Sequence, residues 1–239
     1  MSQVLPAKQP MEMTMALQDR LNEFKADFEG GKLPVKPSRE RLEAMHRATA
    51  ELIASSQAQR AKKAGDSAPD FTLLDPDGKP VASRDLLAKG PLVVSFYRGV
   101  WCPYCNMELQ ALQAALPEIT ARGASLVAIS PQTATNSRKS QRDNKLGFAI
   151  LSDTKSEVAN AFGIRFALPD YLIDVYRTFG NNLPVINDDP AWVLPMPARY
   201  VVDTDGTIAY AEVNPDYTQR PDPSVLLPVL DRLRASKAA

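Results

Sequence analysis

Apolar residues near the start of the chain recur at helical spacing. Leu17, Leu21, Phe24 and Phe28 fall on one helix face, and Glu29-Gly30-Gly31-Lys32-Leu33-Pro34 supplies a stop. A second helical pattern follows Ser38 as N-cap, with Leu42, Met45, Thr49, Leu52 and Ile53 as its inward face. Its tail, Gln57 to Lys63, is polar and reads as solvated. Residues 1–64 therefore read as an αα extension that is too small to bury a core alone, serving as a dimer contact or as a cover over the main core.

From Gly65 the pattern switches to short apolar runs alternating with helical ones. Phe71-Thr72-Leu73-Leu74 reaches a turn at Asp75-Pro76-Asp77-Gly78, and Val81 begins a return strand. Leu92-Val93-Val94-Ser95-Phe96-Tyr97 reads as a buried strand, and Met107, Leu109, Leu112, Leu116 and Ile119 as a helix behind it. Ser125–Ser130 and Phe148–Leu151 are further strands, Thr133–Lys145 a surface helix and Ser156–Phe162 a short helix. Tyr200-Val201-Val202, the turn Asp203-Thr204-Asp205-Gly206 and Thr207–Tyr210 form a hairpin, and a last helix runs from about Ser224. This order predicts an α/β domain over 65–239 with a mixed central sheet flanked by helices. Between 163 and 195 the pattern is poorest. Tyr171, Leu172, Val175, Tyr176 and Phe179 suit one amphipathic helix, which Gly180-Asn181-Asn182 ends before a proline-rich loop. Packing or subunit contact is the favoured role for this segment, ahead of a wall of the substrate pocket.

Composition narrows the function. In 239 residues, 28 basic side chains balance 28 acidic ones, so neither nucleic acid nor an anionic membrane surface is expected as partner. No apolar run approaches a membrane span, and Met1-Ser2-Gln3-Val4-Leu5-Pro6 lacks the blocks of a secretion leader. A cytoplasmic location is the expectation. Twenty prolines imply rigid loops, particularly after Pro184.

The chemistry concentrates in Trp101-Cys102-Pro103-Tyr104-Cys105, which holds both cysteines of the chain. Pro103 suits the first helical position, placing Cys102 at the cap and Cys105 in the first turn. Unpaired N–H groups and the helix dipole favour a thiolate there, and spacing of i, i+3 puts both sulfurs on one face. A structural crosslink closing so short a loop would stabilise weakly. A zinc site needs four ligands, and His46 is the single histidine. The pair reads as redox-active, and no metal or organic cofactor is implied.

These elements resemble the thioredoxin superfamily, specifically a peroxiredoxin-like protein of the alkyl hydroperoxide reductase/thiol-specific antioxidant family. The resemblance covers about Gly65 to Ala235 and rests on Gly65-Asp66-Ser67-Ala68-Pro69-Asp70-Phe71-Thr72-Leu73, Phe96-Tyr97 before the dithiol, and the terminal hairpin. It implies a thioredoxin-like fold. Aligned on the family pattern Pro-x-x-x-Thr-x-x-Cys, the peroxidatic position falls on Cys105, the threonine position on Cys102 and the proline position on Arg98. The family arginine before the hairpin is replaced by Pro197, with Arg199 two residues on. By resemblance to thioredoxins and glutaredoxins, Pro197 stands where a cis-proline abuts the dithiol. The strand before the motif offers Ser95 where thioredoxins bury an aspartate.

Two chemistries follow from the resemblance. In the first, one thiolate reduces hydrogen peroxide or an organic hydroperoxide and the other thiol closes a Cys102–Cys105 disulfide, with thioredoxin or a glutathione-type thiol as donor. Arg98 or Arg220 would then stabilise the thiolate and polarise the peroxide, against the alternative that either is a solvated surface charge. In the second, a more exposed Cys102 attacks a protein disulfide, and Trp101 and Tyr104 line the docking surface. A redox-sensing binding module without turnover is a third reading. A homodimer is compatible with all three.

Overall fold

The computed structural model describes residues 15–238. Residues 1–14 of the expected extension, including the chain start used for the leader reading, lie outside the described residues. Helix α1 (Leu17–Glu29) buries Leu17 and Leu21, and α2 (Arg39–Ala54) begins at Ser38, whose hydroxyl accepts the Arg41 N–H at 3.4 Å. No helix among the described residues is long and apolar enough to cross a membrane.

The sheet is built from β1 (Thr72–Leu74), β2 (Pro80–Ala82), β3 (Leu92–Phe96), β4 (Ser125–Ser130) and β5 (Ala149–Ser152). A separate ribbon pairs β6 (Arg165–Ala167) with β7 (Val193–Pro195), and β8 (Ala198–Val202) and β9 (Ile208–Val213) complete the main sheet. Its order is β2-β1-β5-β4-β3-β8-β9, parallel across β3/β4 and β4/β5 and antiparallel elsewhere. Every residue of β3 is buried, because helices cover both faces, and a strand so covered reads as an unbroken apolar run. Its side chains alternate with period two. Val93 joins Leu109, Leu112, Ile150 and Val201 in one core, while Val94 and Phe96 join Ile129, Leu151, Phe162 and Tyr200 in the other.

The remaining helices are α3 (Ser83–Leu87), α4 (Pro103–Thr120), α5 (Ala134–Asp143), α6 (Glu157–Ala161), α7 (Asp170–Thr178), α8 (Leu183–Asn187) and α9 (Leu227–Ala238). Leu226 and Leu230 of the C-terminal segment close over the core that holds α4 and α1. This is the mixed sheet flanked by helices that the sequence predicts, preceded by two helices.

Four expectations need correction. The inward face assigned to α2 is only half covered: none of its residues is fully buried and Ile53 is 50% exposed. The helix leans on the small cluster around α7 through Ala44, Met45 and Ala48, and meets the sheet-side core through Leu52. Helix α5 is more than a surface element, because Ser137 and Ser140 are fully buried beneath it. The segment 163–195 does contain the amphipathic helix, α7, but the expected loop beyond it folds into α8 and β7. Finally, the Met196–Pro197 bond is trans, as is every peptide bond of the described residues. The chain runs through it extended: the Met196 N–H donates to the Ile164 carbonyl at 2.7 Å and the Pro197 carbonyl accepts the Asn214 N–H at 3.1 Å. Nothing there offsets the roughly 0.5–1 kcal/mol by which trans is preferred.

Candidate active site

Strand β3 delivers the chain through Tyr97-Arg98-Gly99-Val100-Trp101 to α4, where Cys102 is the N-cap and Pro103 the first helical residue. The turn closes with the Cys102 N–H donating to the Gly99 carbonyl at 3.1 Å. Gly99 has φ +147°, and a Cβ there would lie 2.5 Å from Trp101 Nε1, so no side chain fits. Both polar groups of the Val100 peptide unit are held. Its N–H donates to Gln132 Oε1 at 2.8 Å, and its carbonyl accepts Asn106 Nδ2 at 2.9 Å. Gln132 is itself buried and donates to the Tyr97 hydroxyl at 2.7 Å.

Both thiols are free and enclosed, Cys102 at 1% exposure and Cys105 at 0%. The expectation of an exposed Cys102 is therefore corrected, since both cysteines are buried in the core cluster that holds Tyr104, Leu109 and Leu112. Burial works against ionisation of Cys102. The Cys105 thiol, the Arg98 and Arg220 charges and the Cys105 N–H outweigh it and bring Cys102 down to about 6. Burial raises Cys105, and so does the neighbouring Cys102 sulfur, against partial relief from Arg220 and Arg98. The two thiols are thus driven apart in acidity, Cys102 down and Cys105 up, at a helix N-terminus whose dipole favours an anion.

Arg98 and Arg220 are each 3% exposed, which overturns the surface-charge alternative for both. Arg220 Nε pairs with Glu108 Oε2 at 2.6 Å, and its Nη2 approaches Cys105 Sγ at 3.9 Å. Arg199 Nη2 takes the other Glu108 oxygen at 2.7 Å. Arg98 has no carboxylate partner among the described residues; it donates to the Tyr176 hydroxyl instead. Its guanidinium carbon lies 4.1 Å from the Tyr217 ring centroid, 4.9 Å from that of Trp101 and 5.7 Å from that of Tyr176. Pro197 borders a small cavity together with Arg98, Tyr176 and Tyr217.

The AhpC/TSA family profile matches residues 64–211, which carry the dithiol, Arg98 and Arg199. The chain belongs to that family. A Mycobacterium tuberculosis (strain H37Rv) protein that carries the peroxiredoxin name is 33% identical over 116 residues, spanning 48% of this chain and 75% of the relative. Rice chloroplastic peroxiredoxin Q (Oryza sativa subsp. japonica) is 28% identical over 146 residues, spanning 61% of this chain and 57% of the relative. Among solved structures, peroxidoxin BcpB of M. tuberculosis superposes with a TM-score of 0.57 at 25% identity, covering 72% of this chain and 97% of that one.

Against that family membership, the site residues sort clearly. Cys102, Cys105, Arg98 and Arg220 come together, with Trp101 half-buried beside Arg98. Tyr104 belongs to the cover and not to a docking surface: it is 5% exposed and packed edge-on against Phe24 at 5.2 Å and Tyr217 at 5.5 Å. Pro103 is exposed at the helix start. His46 is exposed and pairs with Glu29 Oε1 at 2.8 Å. No group of three or more metal-ligating side chains comes together among the described residues. Sequence reading passed over Glu108, Gln132 and Tyr217. Glu108 had a usable signal: it is an acid inside the buried stripe Cys105, Leu109, Leu112, where a solvated glutamate has no place.

Proposed function

We propose that the protein is a thiol-dependent peroxidase in which Cys102 attacks and Cys105 resolves. The Cys102 thiolate attacks the outer oxygen of a hydroperoxide and breaks the O–O bond, keeping that OH as a sulfenic acid, while the departing alkoxide or hydroxide takes up a proton as alcohol or water. The Cys105 thiol then attacks the sulfenic sulfur, forming the Cys102–Cys105 disulfide and releasing the sulfenic oxygen as water. A thioredoxin-type thiol donor returns two electrons and two protons. Arg98 suits the polarising role, because its planar guanidinium stays charged and offers several donors beside the sulfur.

The observation that carries this reading is geometric: two free thiols enclosed at one helix N-terminus with the buried Arg98 and Arg220 beside them, within a family of thiol peroxidases; the lowering of Cys102 and raising of Cys105 favour Cys102 as the attacker. The family alignment alone favours the opposite assignment, with Cys105 as attacker. Stopped-flow oxidation of reduced protein, followed through Trp101 fluorescence, tests the activity. Sulfenic-acid trapping separates the thiols: Cys105→Ser is expected to accumulate a sulfenic acid, and Cys102→Ser is not. A wild-type rate no faster than that of a free model thiol would end the peroxidase reading. General reduction of protein disulfides is less well supported, because sulfurs at 0–1% exposure offer no surface to a folded partner.

A further inference from the structure

Arg98 is buried with no carboxylate partner among the described residues, and a cavity of about 30 Å³ adjoins it. It is the single charged residue of the cavity wall, which also includes Tyr176, Pro197 and Ala48. The acid nearest the wall in sequence, Asp216, is committed elsewhere: it accepts the Thr218 N–H at 2.9 Å and the Thr218 hydroxyl at 2.7 Å. Arg98 gives one N–H to the Tyr176 hydroxyl, whose own proton meets no acceptor among the described residues. Arg98 Nε is buried and likewise has no partner. Two donors and one positive charge thus stand unanswered on residues of the wall.

We infer that this cavity is a site for one small monovalent inorganic anion of chloride size, filled when Cys102 and Cys105 are joined and vacated when Cys102 is a thiolate. The inference rests on the dithiol–disulfide cycle proposed above and is independent of which oxidant drives that cycle. Size sets the ligand class: about 10–15 Å³ suffices for a water-sized group, so the cavity takes a halide and little more. One guanidinium matches one negative charge. A water molecule satisfies the donors but not the charge, and an uncompensated buried charge is costly. The redox link is electrostatic. In the reduced protein the Cys102 sulfur, whose ionisation Arg98 favours, supplies the counter-charge. Joining it to Cys105 forms one S–S bond, passes two electrons to the oxidant and releases the Cys105 proton. No charge is left on sulfur, so Arg98 turns to an anion from solution. By linkage, an anion that prefers the disulfide form stabilises it and makes it harder to reduce.

The test equilibrates the protein with dithiothreitol buffers at constant ionic strength, exchanging potassium gluconate, too large for the cavity, for potassium chloride, so that screening stays fixed. With a dissociation constant of about 10 mM, raising chloride from about 1 mM to about 100 mM should favour the disulfide about tenfold, a potential about 30 mV more negative. Arg98→Met removes the charge, and Ala48→Leu fills the cavity with Arg98 in place; each should hold the change within about twofold. A wild-type change within about twofold, a change of opposite sign, or an undiminished change in either variant would overturn the inference. Direct binding gives a reading that needs no disulfide. Cys102→Ser deletes the thiolate outright, so at about pH 8 it should broaden the chloride-35 resonance well beyond reduced wild type, and adding Arg98→Met should abolish the excess. Equal line widths in Cys102→Ser and reduced wild type would also overturn the inference. Broadening in Cys102→Ser beside a wild type that never forms the Cys102–Cys105 disulfide would support the anion site and sink the proposed cycle.

Discussion

Behind Cys105, Glu108 grips Arg199 and Arg220 in a closed ion triad; beside Cys102, Arg98 lies among three aromatic rings and meets no carboxylate among the described residues. Buried charge is costly wherever it is left uncompensated. In the triad the compensation is permanent, one carboxylate shared by two guanidiniums whatever the state of the sulfurs. For Arg98 the available counter-charge is the Cys102 thiolate, present in the reduced protein and gone once the disulfide forms. One cluster is closed by its own carboxylate, although Arg220 also reaches Cys105 Sγ at 3.9 Å; the other depends on the sulfur for its counter-charge. The difference follows from where the acids lie, since both sites use the same buried cation.

Substitutions can break that contrast. Glu108→Gln strands two buried guanidiniums and is expected to cost about 3–5 kcal/mol, read from the denaturant midpoint at unchanged slope. A loss below about 1 kcal/mol would mean that the triad does not hold the fold. Arg98→Met is expected to do the reverse. Peroxide attack falls by about 10- to 100-fold as the thiolate loses its cation, while stability changes far less than in Glu108→Gln. Tyr217 sharpens the role of the rings, because its face and not its hydroxyl meets Arg98. Tyr217→Phe should keep the attack rate within about twofold, whereas Tyr217→Leu, which removes the cation–π contact of about 0.5–2 kcal/mol, should lower it several-fold. At the small end stands Ser95→Ala. Its buried hydroxyl has no hydrogen-bond partner among the described residues, so the change should be neutral or slightly stabilising by thermal melting.

How legible each part was follows from how local its determinants are. The run Leu92–Phe96, the cap at Cys102 and the hairpin through Asp203–Gly206 are set by neighbours within a few residues, and their patterns show directly in the chain. The triad is not local: Glu108 meets Arg199 and Arg220 across separations of 91 and 112 residues, so each alone reads as a solvated charge. Helix α2 shows a third case. Its apolar stripe was visible, but a stripe does not reveal how deep its neighbours are, and α2 faces mainly a small cluster and a cleft, meeting the sheet-side core through Leu52. Between 163 and 195 the ribbon strands are three residues each and α8 five, too short for any period to emerge.

The unequal ionisation of the two sulfurs is tested most directly by thiolate ultraviolet absorbance of the reduced protein as a function of pH, beside Cys102→Ser and Cys105→Ser. Because Cys102 is lowered, its thiolate persists above about pH 6 and is lost as pH falls through that value, so wild type should show one inflection near 6 that Cys102→Ser abolishes. A single thiolate appearing only above about pH 8, or one surviving near pH 6 in Cys102→Ser, would contradict the assignment of the reactive anion to Cys102.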